Sequence, residues 1–284
     1  MKKVLSGIML MFALAMASSP AHAAARNIQI KIDDVVISSD VAAEIRNGHT
    51  MVPLRVISEN LGARVTGTNS EIILTRNNMQ VKLKLNSGNV TKNGESVFLD
   101  AKPYLKNNRT MVPLRFLSET FGCQVGYSNS TVTVNSEALV IDQVKIKALQ
   151  EEYHMIMGGV VQQIEGNAYI TAIHDVITDN LGNKVEAPEH YSWTSNIDIP
   201  GSYYKERQFD FLDANGKSIK RYDIYTINRS FPEQMLKPYP EGLIHDATSD
   251  QWYLFSEAAR TLIYQNMDTA TKNGFLKIIS NTIA

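Results

Sequence analysis

The chain has 284 residues, enough for two domains that each bury a hydrophobic core. Its 28 basic and 29 acidic residues leave a formal net charge of −1, so the composition gives no electrostatic basis for binding nucleic acid or anionic lipid. Cys123 is the single cysteine, which excludes an intramolecular disulfide.

Residues 1–23 are typical of a cleaved secretory signal peptide. Lys2 and Lys3 form a positive start, residues 4–17 are almost wholly apolar, and Ala21-His22-Ala23 has the small-x-small pattern of a signal peptidase site. The apolar run is shorter than the roughly 20 residues that a membrane-spanning helix needs. We therefore expect cleavage near Ala23 and a secreted, periplasmic or cell-surface bacterial protein that keeps no transmembrane segment.

A tandem repeat organises the first half. Thr50-Met51-Val52-Pro53-Leu54-Arg55 recurs 60 residues later as Thr110-Met111-Val112-Pro113-Leu114-Arg115. Further identities keep the same register without a gap, from Asp40 and Asp100 to Ser70 and Ser130. Fixed-period self-similarity of this kind is the signature of repeated structural units.

Each unit has the pattern of one short helix between strands. Pro53 and Pro113 suit the first turn of a helix, and Gly62 and Gly122 suit the left-handed position that ends one. Between them, apolar residues at i, i+3 and i+7 lie on one helix face, and these are Leu54, Ile57 and Leu61, then Leu114, Leu117 and Phe121.

Strand and turn signals surround these helices. Apolar or β-branched residues alternate at 28–32, 81–85 and 131–134. Asp33-Asp34 and Asn93-Gly94 have the composition of hairpin turns. The sequence therefore predicts a β-rich α+β fold, with a tandem-repeat domain at 24–137 in which two units bury their apolar faces together.

The paired motif carries a family resemblance. The doublet of Thr-Met-Val-Pro-Leu-Arg, each followed by Ser-Glu and then Gly, resembles the copper amine oxidase N-terminal-like domain, also called a stalk domain, over residues 27–136. The resemblance implies a non-catalytic, β-rich accessory module on an exported bacterial protein.

The resemblance does not extend to amine oxidase chemistry. That activity needs an Asn-Tyr-acidic site for the quinone and a His-x-His pair for copper, and the sequence contains neither. His154, His174, His190 and His245 have no metal-ligand spacing. We therefore expect no cofactor, no metal and no amine oxidase activity.

Arg55 and Arg115 admit two interpretations. An arginine held after a rigid Pro-Leu turn could bind a carboxylate ligand. Alternatively, each could pair with an acidic residue of its own unit, such as Asp40 or Asp100. We favour the second, because a single binding site seldom needs two copies, and we assign the motif prolines, arginines and glycines structural roles.

Residues 138–284 are predicted to form a separate α+β domain of unrecognised family. The predicted elements are a connecting helix over 140–157, strands at 169–173 and 176–178, a hairpin at 208–227 that turns at Asp213-Ala214-Asn215-Gly216, a helix over 250–267 and a short final helix. No nucleophile elbow or phosphate-binding glycine loop is present, so no catalytic residue is assigned.

Aromatic residues are the one compositional indication of a binding site. Ten of the twelve tyrosines and both tryptophans lie after residue 150. Flat rings in loops can stack on sugars, although aromatic residues more often fill a core. The candidate binding residues, all expected outside helices, are Tyr191, Trp193, Tyr203, Tyr204 and Tyr239.

Two functions remain open at this point. The first is a non-catalytic envelope protein, in which the repeat serves as a stalk or adhesive and the second half binds a cell-wall glycan or another envelope protein. The second is a secreted cell-wall hydrolase with the repeat as its targeting domain. We favour the first, because the hydrolase has only the habits of the family in its support.

Overall fold

The computed structural model describes residues 28–67, 71–155 and 157–283, and the predicted signal peptide lies outside them. The protein is β-rich with a mixed α+β composition, and five helices lie within these ranges. Among the residues described, no helix has the length and apolar character that crossing a bilayer requires.

The first half forms three small sheets and two helices. The elements are β1 Gln29–Ile32, β2 Val35–Val36, β3 Glu44–Arg46, β4 His49–Pro53, α1 Leu54–Asn60, β5 Arg64–Gly67, β6 Ile72–Arg76, β7 Met79–Leu83, β8 Asn89–Lys92, β9 Glu95–Phe98, β10 Tyr104–Lys106, β11 Arg109–Pro113, α2 Leu114–Phe121, β12 Gln124–Ser128 and β13 Thr131–Asn135. The strand orders of the three sheets are β12-β13-β1-β2, β10-β11-β4-β3 and β5-β6-β7-β8-β9.

The second half is built on one large sheet with two long helices. It begins with a two-stranded pair, β14 Val140–Ile141 and β15 Val144–Lys145. The remaining elements of this half are β16 Ala148–Met155, β17 Gly158–Ile164, α3 Asn167–Asp179, β18 Lys184–Val185, β19 Tyr191–Ser192, β20 Tyr203–Leu212, β21 Ser218–Ile227, α4 Glu233–Leu236, β22 Gly242–Asp246, β23 Gln251–Leu254, α5 Glu257–Lys272 and β24 Leu276–Asn281. The strand order of the large sheet is β18-β23-β22-β21-β20-β16-β17-β24, and β19 pairs with β20.

Each copy of the six-residue motif ends a strand and starts a helix. Pro53 and Pro113 are the last residues of β4 and β11, with extended ψ angles of 114° and 129°, so each precedes the first helical turn that we predicted it to occupy. Gly62 and Gly122 follow the helices in the left-handed conformation, with φ of 82° and 68°. These φ values confirm the predicted helix ends.

The two motif strands pair with each other. β4 and β11 are antiparallel, with Val112 opposite Val52, Met111 opposite Pro53, and Pro113 opposite Met51. Exchanging the two copies leaves this register unchanged, as in a two-fold symmetric interface. Both valines are fully buried, so the pairing buries apolar surface that neither strand could cover alone.

One hydrophobic cluster runs through both halves of the chain. It includes Leu54 and Leu61 from the first helix, Leu117 from the second, and Ile173 and Phe275 from the second half. A buried hydrogen bond crosses the same boundary, because the hydroxyl of Tyr169 donates to Oδ1 of Asn60 over 2.8 Å. The two halves are therefore packed against each other through a common core.

The predicted connecting helix over 140–157 is wrong, because the described part of that segment forms β14, β15 and β16. In β16, Leu149 and Glu151 are both buried. A buried carboxylate at an inward-facing position removes the apolar alternation by which a strand is recognised.

The strands predicted at 169–173 and 176–178 are also wrong, because this segment is helix α3. Its isoleucines favoured a strand by composition. However, Ile170, Ile173 and Ile177 are buried on one helical face. Their packing outweighs a helix propensity penalty of only about 0.5 kcal/mol per β-branched residue.

The prediction for the last two elements needs correction as well. Residues 251–254 form strand β23, and helix α5 begins only at Glu257, where Ser256 Oγ accepts a hydrogen bond from the Ala259 N–H over 3.1 Å. The predicted final helix is strand β24. The predicted hairpin is confirmed as β20 and β21, joined through residues 213–217.

We expect Tyr169→Phe to lower the free energy of unfolding by about 1–3 kcal/mol, because Asn60 Oδ1 then stays buried without its donor. Urea denaturation of the whole chain measures this change. Tyr127→Phe is the matched control, since Tyr127 is 63% exposed and should change stability by less than about 0.5 kcal/mol. Equal stability of Tyr169→Phe and the wild type would contradict a structural role for this bond.

Candidate functional site

The five aromatic residues singled out from the sequence lie in different surroundings. Tyr191 is 48% exposed and packs edge-on against Trp252. Tyr203 is buried, and its hydroxyl donates to the carbonyl of Pro240 over 2.7 Å. Tyr239 is exposed on a loop, and Trp193 is half-buried. Tyr191 is opposite Tyr203 in the pairing of β19 with β20, but Tyr203 is buried, so these four side chains do not form one exposed surface.

Trp193 belongs to a polar cluster on β20 and its neighbours. It stacks on His154 with 4.1 Å between ring centroids, and Nζ of Lys205 lies 4.4 Å from the Trp193 centroid. The same ammonium donates to Asp223 over 2.9 Å. Lys205 is 7% exposed, and its burial lowers its pKa below the usual range for lysine. The ring covers an ion pair, which is a structural role.

Tyr204 lies elsewhere, at a cavity between the sheet and the beginning of α5. The cavity has a volume of about 660 Å³, within the range of roughly 300–1,000 Å³ that is usual for small-molecule sites. The residues that define its floor and walls are Tyr204, Glu206, Thr226, Asn228, Arg260 and Tyr264. This cavity is the candidate functional site.

A β-bulge supplies the charged groups of the site. The pairing of β20 with β21 shifts between Lys205 and Arg207, so Glu206 is an extra residue in β20. Such an insertion re-aims side chains that would otherwise alternate between the two faces. Glu206 reaches Arg260 of α5, and the Arg207 guanidinium carbon lies 5.6 Å from the ring centroid of Tyr264, on the same helix. Both consecutive side chains therefore face α5.

Glu206 is held by three donors. Its Oε1 accepts from the Tyr264 hydroxyl over 2.8 Å, and its Oε2 accepts from Thr226 Oγ1 over 2.6 Å and from Arg260 Nη1 over 3.1 Å. Burial alone would raise the pKa of this carboxyl, but the bonds from Thr226, Tyr264 and Arg260 lower it below its ordinary value of 4.5. Glu206 is therefore ionised at neutral pH.

Arg260 is the partner cation and is almost fully buried. Only 6% of the residue is exposed, and Nη1 donates to both Glu206 and Thr226. Nε has no hydrogen-bond partner among the residues described, and Nη2 makes no hydrogen bond to them. A guanidinium carries five N–H donors, so Arg260 has donors that no described residue uses; Nε is buried, which leaves Nη2 for a ligand of the cavity that Arg260 lines.

The motif arginines take part in ion pairs. Arg115 pairs with Asp100 over 3.3 Å, as predicted. Arg55 also pairs within its own unit, but with Glu59 over 3.0 Å. Asp40 pairs instead with Arg109 of β11 over 2.6 Å. These contacts support structural roles for both arginines.

Cys123, the single cysteine, is partly buried. Burial raises the pKa of the Cys123 thiol to about 11, which keeps the thiol protonated and unreactive at neutral pH.

Within residues 28–67, 71–155 and 157–283, the structure groups no three His, Cys, Asp or Glu side chains in a way that could hold a metal ion.

Sequence reasoning did not single out Glu206, Thr226, Arg260 or Tyr264. A signal was nevertheless present in Lys205-Glu206-Arg207, three charged residues inside a strand that continues to Phe209 and Phe211. Charges are seldom buried unless paired, so this run could have marked a bulge with functional or structural ion pairs. Arg260 and Tyr264 gave no such signal, because Glu206, the partner that they share, lies more than fifty residues away.

We expect Glu206→Gln to lower the free energy of unfolding at pH 7 by about 1–3 kcal/mol, because hydrogen bonds to a charged group contribute on that scale. The lowered folded-state pKa means that this stabilisation is complete above the unfolded value of 4.5 and is lost as the pH falls through the lower folded value. Denaturation curves from pH 3 to pH 7 should therefore converge at the acid end. Glu95→Gln, at an exposed position on β9, is the control, and a pH-independent difference for Glu206→Gln would contradict the assignment.

Comparison with known proteins bears on the first half only. Residues 31–136 match the family described as copper amine oxidase N-terminal domain. No curated protein and no solved structure matches the chain. The match confirms, over residues 31–136, the resemblance to the copper amine oxidase N-terminal domain that the paired Thr-Met-Val-Pro-Leu-Arg motifs carry.

Proposed function

We propose that this is an exported, non-catalytic protein of the bacterial envelope. In this proposal residues 1–23 are removed on export, and residues 24–137 form a two-unit tandem module that serves as a stalk or adhesive. Residues 138–284 form a second α+β domain that binds a cell-wall glycan or another envelope protein. The family match and the signal-like start of the sequence support the assignment of the first half.

The observation that carries the binding role is the state of Glu206. A glycosidase needs a carboxylic acid that stays protonated near neutral pH, with a raised pKa, to act on the leaving group. The pKa of Glu206 is lowered, and three donors hold its charge. A carboxylate fixed in its ionised form is suited to accepting hydrogen bonds from a ligand.

Glu151 does not supply the missing acid. Burial raises the pKa of its carboxyl, the first requirement of a general acid. However, Glu151 is only 1% exposed, and its carboxylate lies against Arg207 Nε at 2.8 Å. Glu151 lines none of the cavities described, so it does not meet a substrate there, and this favours binding over hydrolysis.

Wall binding is tested by co-sedimentation of the mature chain with purified sacculi. The whole chain is used because its halves share a core. We expect the protein to sediment with sacculi while mass spectrometry of the supernatant detects no released wall fragments. Failure to sediment would contradict wall binding and favour a protein ligand, and released fragments would establish a hydrolase instead.

Export is tested separately by intact-mass spectrometry of the protein from an expressing bacterium. We expect a chain that starts at Ala24 and is recovered outside the cytoplasm, because signal peptidase cleaves after the small-x-small site. A cytoplasmic protein that retains residues 1–23 would contradict the proposal.

A further inference from the structure

We infer that the cavity at Glu206 and Arg260 is a binding site for a neutral sugar, and that this ion pair clamps two adjacent hydroxyl groups of the ring. The inference rests on the proposed function and gives its ligand a chemical class. It also assigns the contact to particular atoms, whereas the aromatic composition only indicated that sugars could be bound.

The charges at the cavity favour a neutral ligand. Glu206 and Arg260 neutralise each other across 3.1 Å. Arg229 on the rim is paired with Glu241. Glu257 lies in the first turn of α5, where the positive end of the helix dipole stabilises an acidic side chain. The charged lining residues are two arginines and two glutamates, so their formal charges sum to zero and favour a neutral ligand over an anion or a cation.

The free hydrogen-bonding capacity fits hydroxyl groups. A carboxylate can accept about four hydrogen bonds, and Glu206 accepts three, of which only one is at Oε1. Arg260 keeps donors at Nη2, because its two bonds to Glu206 and Thr226 leave from Nη1. An acceptor and a donor with remaining capacity thus belong to two paired side chains that line the same cavity. A vicinal diol presents the complementary pair, because each hydroxyl both donates and accepts.

An aromatic wall completes the arrangement. Tyr204 is half-buried and lines the cavity beside Glu206. The phenol ring of a tyrosine offers apolar contact to the C–H face of a pyranose, while its hydroxyl can hydrogen-bond to a polar group or to solvent. The combination of planar polar groups and one aromatic wall favours a cyclic polyol over a linear one.

The clamp is held rigid before any ligand arrives. The bulge fixes Glu206, while the Ser256 cap fixes the start of α5 one turn before Arg260. Thr226 Oγ1 lies within hydrogen-bonding distance of both members of the pair, at 2.6 Å from Glu206 and 2.5 Å from Arg260. Groups that are already ordered lose little entropy on binding, which raises affinity.

The test uses methyl glycosides of glucose, mannose and N-acetylglucosamine as neutral probes and glucuronate as the anionic probe. Saturation-transfer NMR detects binding to the mature chain, and calorimetry measures the Kd. We expect at least one neutral glycoside to bind and glucuronate to bind more weakly. No binding by any neutral glycoside, or binding by glucuronate alone, would overturn the assignment.

Two matched variants locate the site. Thr261 lines the cavity on the exposed side of α5, whereas its neighbour Leu262 is 43% exposed and does not line it. We expect Thr261→Trp to raise the Kd at least about tenfold, equivalent to about 1.4 kcal/mol, by filling the cavity. Leu262→Trp should leave the Kd within about twofold, well under 1.4 kcal/mol. Equal affinities of the two variants would place the sugar elsewhere.

Glu206→Gln tests the clamp itself, with circular dichroism as the check on folding. A folded Glu206→Gln protein that binds the glycoside as the wild type does would remove the carboxylate from the site. Co-sedimentation distinguishes the two proposals. If the chain sediments with sacculi but binds no glycoside, the sugar assignment fails while wall binding by another surface stands. If it binds glycosides but does not sediment, the wall proposal alone fails.

Discussion

The carboxylate of Asp33 fixes how the two halves of the chain meet. It accepts hydrogen bonds from the N–H and the hydroxyl of Ser136, over 2.7 and 2.8 Å, and from the N–H of Asn167 over 3.0 Å. These bonds join the end of β1 to the segment after β13 and to the first residue of α3. Because α3 packs against α5, and α5 carries Arg260, this contact connects the first half of the chain to the helix that lines the cavity.

Within the first half, β4 and β11 depend on each other for their pairing. Each motif strand completes the sheet of the other, in a register centred on the two buried valines. The prolines can occupy these strands because each is the last residue before a helix, where a missing N–H costs little. The motif thus combines three tasks in six residues: a strand that pairs, a proline that ends it and a helix that buries its leucine.

The first half was the more predictable because its signals are local. A few neighbouring residues determine each helix end, at Gly62 and Gly122, and the apolar face of each helix. The same holds for the turns at Asp33-Asp34 and Asn93-Gly94, where the residues have the left-handed φ angles that these residue types tolerate. In the second half the decisive facts are long-range. Glu151 can be buried in a strand because Arg207 Nε of the neighbouring strand lies 2.8 Å from its carboxylate. The isoleucines of α3 are helical because the sheet and α5 cover them.

The candidate site was beyond local reasoning for a related reason. Of its lining residues the aromatic composition pointed only to Tyr204. The pairing of Glu206 with Arg260 joins a bulge in β20 to a helix that starts after four further elements. The charged run Lys205-Glu206-Arg207 could have marked the bulge, but nothing in the sequence pairs Glu206 with Arg260, and only the fold brings them together.

The common hydrophobic core has a mechanical consequence. In a chain of independent domains, each domain can reorient about its linker, and a force on one domain reaches the next only as tension along that linker. Here Ile173 and Phe275 belong to the same cluster as Leu54 and Leu117, and separating the halves would expose apolar surface on both. If the protein is held at a surface through its first half, a force applied at the cavity would therefore act as shear across the core that the two halves share. Proteolytic cleavage between the halves would give fragments that expose apolar surface and tend to aggregate, and it would not release the second half as a folded binding domain.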